Sequence, residues 1–229
     1  MRVKAVIFDL DGTLASFNLD YKTARAEVRG YLVKMGVPAS VLSVNESIFE
    51  MLRKTDLFVK NSGKPQKVLE EIRNEALVIA EKYELEAALS TSLLPGVVET
   101  LKALKQKSLK IGLCTINGEK STNYILKRFG IADFFDAVIP RDKVNNVKPD
   151  PTHLESALNA LSIAAKNAVI VGDSIVDMRS AKELKAIAVG LPTGVSTIEE
   201  LMSNGANYII TSITDLPVLI EKMNKSRET

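Results

Sequence analysis

Six short runs rich in valine, isoleucine and alanine recur along the chain with helical patterns between them, and this alternation constrains the fold more than any other feature. The runs are Val3 to Phe8, Lys110 to Thr115, Ala137 to Pro140, Ala168 to Gly172, Ile187 to Gly190 and Tyr208 to Thr211. They lack polar alternation, so both faces of each run need cover, as in a strand inside a parallel sheet. Between them, Val97, Leu101 and Leu104, then Leu154, Ala157, Leu158 and Leu161, keep to one helical face. Asp150-Pro151 joins an N-cap to a proline at the first helical position, which starts a helix directly after Lys148-Pro149. The fold class is α/β: a Rossmann-like parallel sheet core with helices on both faces.

From Ala15 to about Ser92 the strand texture disappears. Ala24, Val28, Leu32 and Met35 form one helical stripe that stops at Gly36, and Val68, Ile72, Ala76, Ile79 and Tyr83 form another. Asn61-Ser62-Gly63-Lys64-Pro65 reads as a loop between them. A helical insertion over residues 15–92 therefore interrupts a core made of residues 1–14 and 93–229. A chain of 229 residues can hold such an arrangement and still bury about 70% of its unfolded surface.

Thirty Lys and Arg against 28 Asp and Glu leave a net charge of +2, too small to imply nucleic acid or an anionic membrane as a partner. No apolar run approaches the ~18 residues of a membrane span. The first one meets Asp9 too early for a signal peptide, and the single Cys114 fits a reducing compartment, so a cytoplasmic location is expected. His153 is the only histidine, which leaves carboxylates, lysine and hydroxyls to carry any chemistry. It falls three residues into the helix that starts at Pro151, and a surface or helix-start position is expected for it.

Four motifs stand at the ends of predicted strands. Asp9-Leu10-Asp11-Gly12-Thr13 follows the first, at the carboxyl edge where open α/β sheets place ligands. Carboxylates one residue apart leave a strand on opposite faces unless the chain coils at once, which Gly12 permits. Thr115 closes the second strand ahead of Ile116-Asn117-Gly118, a hydroxyl with main-chain amides suited to phosphate. Lys148 is flanked by Val147 and Pro149 just before a helix. Val169-Ile170-Val171-Gly172-Asp173 ends a buried strand on a carboxylate, and Asp177 follows four residues later. Carboxylates gathered on one crevice suit a hard cation, and Mg²⁺ fits because it takes few protein oxygens.

In this order the four motifs resemble those of the haloacid dehalogenase superfamily, and the resemblance spans the chain outside the insertion. The chain is most similar to the phosphoglycolate-phosphatase and β-phosphoglucomutase branch, whose members carry a helical cap after the first motif. The resemblance implies a Mg²⁺-dependent phosphatase of small phosphorylated metabolites, with phosphoglycolate the first candidate, working as a monomer or homodimer. Asp9 would take the phosphoryl group, and Asp11 would serve as acid and then base. Thr115 and the amides of Ile116 and Asn117 would hold the phosphoryl oxygens, and Lys148 would neutralise them. Asp9, Asp173 and the main-chain carbonyl of Asp11 would bind Mg²⁺, with Asp177 supporting them from behind.

A sugar phosphomutase shares this chemistry. A phospho-accepting receiver module also uses Asp, Thr and Lys, but needs neither a cap nor Asp11. Carbon–halogen displacement needs no acid at Asp11 and no metal. Two positions depart from the family pattern. Ile116 stands where many relatives have Asn, and Lys185 where they usually end a helix on Gly. In the insertion, Arg25, Arg29, Arg53, Lys54, Lys60 and Lys64 are candidates for contact with a substrate anion, and Lys64 is favoured because it sits in a glycine-containing loop.

Overall fold

The computed structural model describes residues 2–225. Each of the six apolar runs contains a strand: β1 (Ala5–Phe8), β2 (Lys110–Cys114), β3 (Ala137–Ile139), β4 (Ala168–Gly172), β5 (Ile187–Gly190) and β6 (Tyr208–Ile209). All neighbours pair in parallel in the order β3-β2-β1-β4-β5-β6. Both faces of the central strand are covered. Ala5 and Ile7 share a buried cluster with Leu154, Leu158, Leu161 and Met178, while Val6 and Phe8, which point the other way by the two-residue period, are also fully buried.

Strand order reverses at β1, since the chain moves outward to β2 and β3 on one side and to β4, β5 and β6 on the other. That switch point opens a crevice at the carboxyl ends of the strands. Register aligns the exits, because Phe8 lies beside both Leu113 and Val171. Residues that follow β1, β2 and β4 therefore leave the sheet along one edge.

The helices are α1 (Tyr21–Lys34), α2 (Ile48–Asn61), α3 (Gln66–Ser90), α4 (Val97–Gln106), α5 (Glu119–Arg128), α6 (Pro151–Leu161), α7 (Ile175–Glu183), α8 (Ile198–Ser203) and α9 (Leu216–Lys225). α6 begins as its sequence dictates, with the Asp150 carboxylate accepting from the Thr152 amide at 2.9 Å and Pro151 in the first turn.

The chain divides into two compact units, residues 1–17 with 91–229, and residues 18–90. This boundary lies inside the expected 15–92, because the two connecting stretches pair with each other. Ala15 bridges to Leu93, the Ser16 amide donates to the Ser92 carbonyl at 2.8 Å, and the Thr91 hydroxyl donates to the Ser16 carbonyl at 2.9 Å.

The second unit packs α1, α2 and α3 around Val28, Leu32, Met51, Leu52, Val59, Leu69 and Ile72. α2 has no counterpart in the sequence stripes. Its buried face includes Thr55, and Ser47 caps its start by accepting from the Glu50 amide at 3.1 Å. α3 buries Leu69, Ile72, Ala76, Ala80 and Ala88; Val68, Ile79 and Tyr83 sit only half-buried at its border. Met35 caps the end of α1 and is exposed.

Lys185 carries the consequence of lacking glycine. The amides of Lys185 and Ala186 donate to the carbonyls of Lys182 and Ala181, and the turn that ends α7 holds exposed Lys185 at φ 58°. The helix ends as a glycine-terminated helix would, with an L-residue in left-handed backbone. Lys185→Gly should raise the unfolding free energy by about 0.5–1 kcal/mol in urea titrations, the relief of strain less the added chain entropy. No gain, or a loss, would show that the side chain contributes contacts that outweigh its strain.

Candidate active site

Asp9 continues the β1 ladder, its amide donating to the Val171 carbonyl at 2.9 Å. The chain then coils: the Gly12 amide donates to the Ala15 carbonyl at 2.7 Å, and the Leu14 amide to the Leu10 carbonyl at 2.8 Å. Gly12 adopts φ 81°, and a β-carbon on it would sit 2.5 Å from Asp173 Oδ2, so glycine is required twice over. The coil sends the two carboxylates of the motif to different partners. Asp9 joins Asp173 and Asp177, one oxygen of each lying within 4.8 Å of the others. Asp11 Oδ2 accepts from the Asn117 side-chain amide at 2.6 Å.

Lys148 organises the cluster. Its ammonium donates to Asp9 Oδ1 at 2.7 Å, Asp177 Oδ1 at 2.6 Å and the Cys114 carbonyl at 2.7 Å. Burial would push this lysine down, but Asp177 and Asp9 outweigh it and hold the group above the ordinary lysine range. The residue is 6% exposed, so the surface role usual for lysine does not apply.

Asp177 belongs to the capping box that starts α7, its Oδ2 accepting from the Ser174 amide at 3.3 Å. Burial raises its carboxyl to about 6 even though Lys148 pulls it down. Asp173, which follows β4, accepts from the Val195 amide at 2.9 Å and the Thr13 hydroxyl at 3.3 Å. Burial, then the neighbouring charges of Asp9 and Asp177, push it up to about 8.

With all three carboxylates ionised, one ammonium leaves an excess of two negative charges among hard oxygen donors, and the upward shifts that burial and this charge give Asp173 and Asp177 show that it lacks a counter-charge. That set matches a divalent cation such as Mg²⁺ in both charge and chemistry.

Thr115 is buried at the end of β2, and its hydroxyl accepts from the Asn117 amide at 3.2 Å. Ile116 is half-buried and offers no polar side chain. Lys64 lies exposed in the turn between α2 and α3 of the other unit. Several cations of that unit are engaged within it. Arg29 donates to the carbonyls of Leu42 and Ala39 at 3.0 Å each, Arg53 pairs with Glu50 at 2.7 Å, Lys54 with Glu46 at 2.5 Å, and Arg25 stacks on Tyr21.

His153 stands in the first turn of α6, as expected, but the alternative of a surface position is corrected. It is fully buried, with Nδ1 accepting from the Lys148 amide at 3.4 Å and Nε2 at 3.1 Å from the Ile139 carbonyl. An accepting Nδ1 places the proton on Nε2, which donates to that carbonyl. The ring thus braces the Lys148 backbone from beneath α6. Thr13 stands in the first motif without a role assigned to it, and the Val195 amide and Arg141 lie outside the motifs. Arg141 directly follows Pro140 at the carboxyl end of β3, a position that could have drawn attention to it.

Residues 6–190 match the model of the haloacid dehalogenase-like hydrolase family. The chain belongs to that family and is an enzyme. It is 28% identical over 222 residues to the phosphoglycolate phosphatase of Nitrosospira multiformis, covering 96% of both chains. It is 30% identical over 231 residues to the phosphoglycolate phosphatase of Shigella dysenteriae, covering 93% of this chain and 91% of the relative. It is also 27% identical over 227 residues to the pyrophosphatase PpaX of Halalkalibacterium halodurans, at 94% and 96% coverage. In fold it is similar to β-phosphoglucomutase from Clostridium difficile, with a TM-score of 0.68 at 21% identity over 99% of this chain and all of that one. No helix among the described residues is long and apolar enough to cross a membrane.

Burial, then the Lys148 charge, depress His153 to about 4 from 6.5. Between those values the unfolded chain binds a proton that the native ring refuses, so this group makes stability fall as pH drops from 6.5 towards 4. The total is about 3 kcal/mol. His153→Gln keeps an acceptor and a donor but cannot titrate, so urea titrations at stepped pH should show a flatter acid limb. Parallel limbs in the two proteins would remove His153 from the acid response.

Proposed function

We propose that this hydrolase is a Mg²⁺-dependent phosphatase of small phosphomonoesters that works through an aspartyl phosphate on Asp9. The observation that carries the reading is the Lys148 ammonium 2.7 Å from Asp9 Oδ1 at the β1–β4 switch point, beside Asp173 and Asp177. A carboxylate and a phosphate dianion repel, so attack demands positive charge next to the nucleophile.

Asp9 attacks phosphorus in line, forming the acyl phosphate while the ester oxygen departs. Asp11, held by Asn117, gives that oxygen a proton. It then takes one from the water that attacks the same phosphorus, freeing phosphate and restoring Asp9. Thr115 and the amides of Ile116 and Asn117 hold the phosphoryl oxygens, with Lys148 balancing their charge. Asp9, Asp173 and the Asp11 carbonyl would hold Mg²⁺, which when bound adds the positive charge that offsets repulsion. Asp177 fixes Lys148 from behind.

Phosphoglycolate, the substrate in the names of two relatives, is the first candidate. Substrate choice is assigned to residues 18–90, with the Asn61 to Lys64 loop foremost, because the motifs of the sheet unit recognise only the phosphoryl group.

Phosphate release over a panel of short phosphorylated acids and sugar phosphates, with Mg²⁺ and with chelator, tests the reading. Turnover should vanish in chelator. Transfer between sugar hydroxyls without phosphate release would identify a mutase instead. Asp9→Asn should abolish turnover. Asp11→Asn should still react slowly with an aryl phosphate and then stall with a hydroxylamine-labile phosphoryl group, having lost roughly 10²–10⁴ in each proton-assisted step. Alkyl phosphate hydrolysis at wild-type rate by Asp11→Asn would refute the assignment.

A further inference from the structure

The loop that leaves β2 is fastened residue by residue to the segment that leaves β3. The Thr115 amide donates to the Ile139 carbonyl at 3.1 Å, extending the ladder by one step. The Arg141 amide then donates to the Asn117 carbonyl at 3.1 Å, and its guanidinium, through Nη1, to the Ile116 carbonyl at 3.2 Å. Finally Asp142 Oδ2 accepts from the Glu119 amide at 2.6 Å, at the start of α5.

Arg141 is 5% exposed, and burying a guanidinium is costly unless it is hydrogen-bonded, as it is here to the Ile116 carbonyl. Here two successive carbonyls of the loop are drawn to one residue. Because the peptide unit is planar and trans, each carbonyl so fixed turns the next amide the opposite way. The amide of Asn117 accordingly meets the Thr115 hydroxyl.

We propose that Arg141 is a positioning residue that sets the shape of the Thr115–Gly118 phosphate cradle. The inference rests on the phosphatase reading for its kinetics but not for its structural content. Arg141 acts through the loop: it aims donors that bind the phosphoryl group in ground and transition states alike, so its loss falls on affinity and not on the chemical step. A lysine offers a single flexible ammonium in place of a planar fork, and should replace it only in part.

The test compares wild type, Arg141→Met and Arg141→Lys, with folding followed by circular dichroism. The expected result for Arg141→Met is a rise of about tenfold in KM and in the inhibition constant of inorganic phosphate together, with kcat within about threefold. Arg141→Lys should fall between. Amide NMR spectra with inorganic phosphate as the probe give a second readout. Resonances of Ile116, Asn117 and Gly118 should shift in wild type and shift less in the methionine variant.

Unchanged constants in a folded Arg141→Met, a loss confined to kcat, or wild-type loop amides that ignore phosphate would each overturn the proposal. If the methionine variant does not fold, the lysine variant decides by the same criteria, and failure of both to fold counts against a positioning role. Wild type that turns over no ester while its loop amides answer phosphate would sink the phosphatase reading and leave the cradle standing.

Discussion

The buried ammonium of Lys148 is the interaction on which the structure most depends. It ties together Asp9 after β1, the Cys114 carbonyl at the end of β2 and Asp177 in the first turn of α7, so one side chain joins three elements across the sheet. Buried ion pairs are often no more stabilising than apolar packing, yet removal of one partner typically costs 3–5 kcal/mol because a buried charge is stranded. Here the stranded charges would be two carboxylates beside a third, Asp173, that burial already holds near 8. The same concentration of carboxylates that makes the crevice expensive suits it to a divalent cation.

Space at that point is set by residues without side chains. A β-carbon on Gly12 or Gly194 would collide with the Asp173 carboxylate, and one on Gly172 with Asp177. The crevice is thus closed around its carboxylates by main chain, with the Val195 amide and the Thr13 hydroxyl as the donors to Asp173. Neighbouring loops follow the same logic: Arg141 and Asp142 hold the β2 exit, and His153 holds the backbone of Lys148.

Much of this was legible in the sequence, for physical reasons. Parallel strands buried on both faces leave unbroken valine and isoleucine runs, and groups placed at a shared sheet edge must follow those runs directly, as Asp9, Thr115 and Asp173 do. The α6 start was legible because a capping Asp and a first-turn Pro act locally. What stayed hidden depends on partners distant in the chain. His153 is the helix-start residue it looks like, but its burial emerges only once Ile139 and the Lys148 backbone close over it. Arg141 is one cation among thirty until the carbonyls of Ile116 and Asn117, far back in the chain, are in place. α2 hides because Thr55 breaks its apolar face; α3 is legible as a helix, but alanines carry much of its buried stripe, so the larger border residues Val68, Ile79 and Tyr83 read as its buried face.

In the proposed reaction Asp9 takes the phosphoryl group and returns it to water in two in-line displacements. The stereochemical course at phosphorus, followed with a phosphomonoester made chiral by sulphur and oxygen isotopes, measures this most directly. Each in-line step inverts configuration, so two steps predict overall retention. Inversion would mean that water attacks the substrate directly and that no phosphoryl group passes through Asp9.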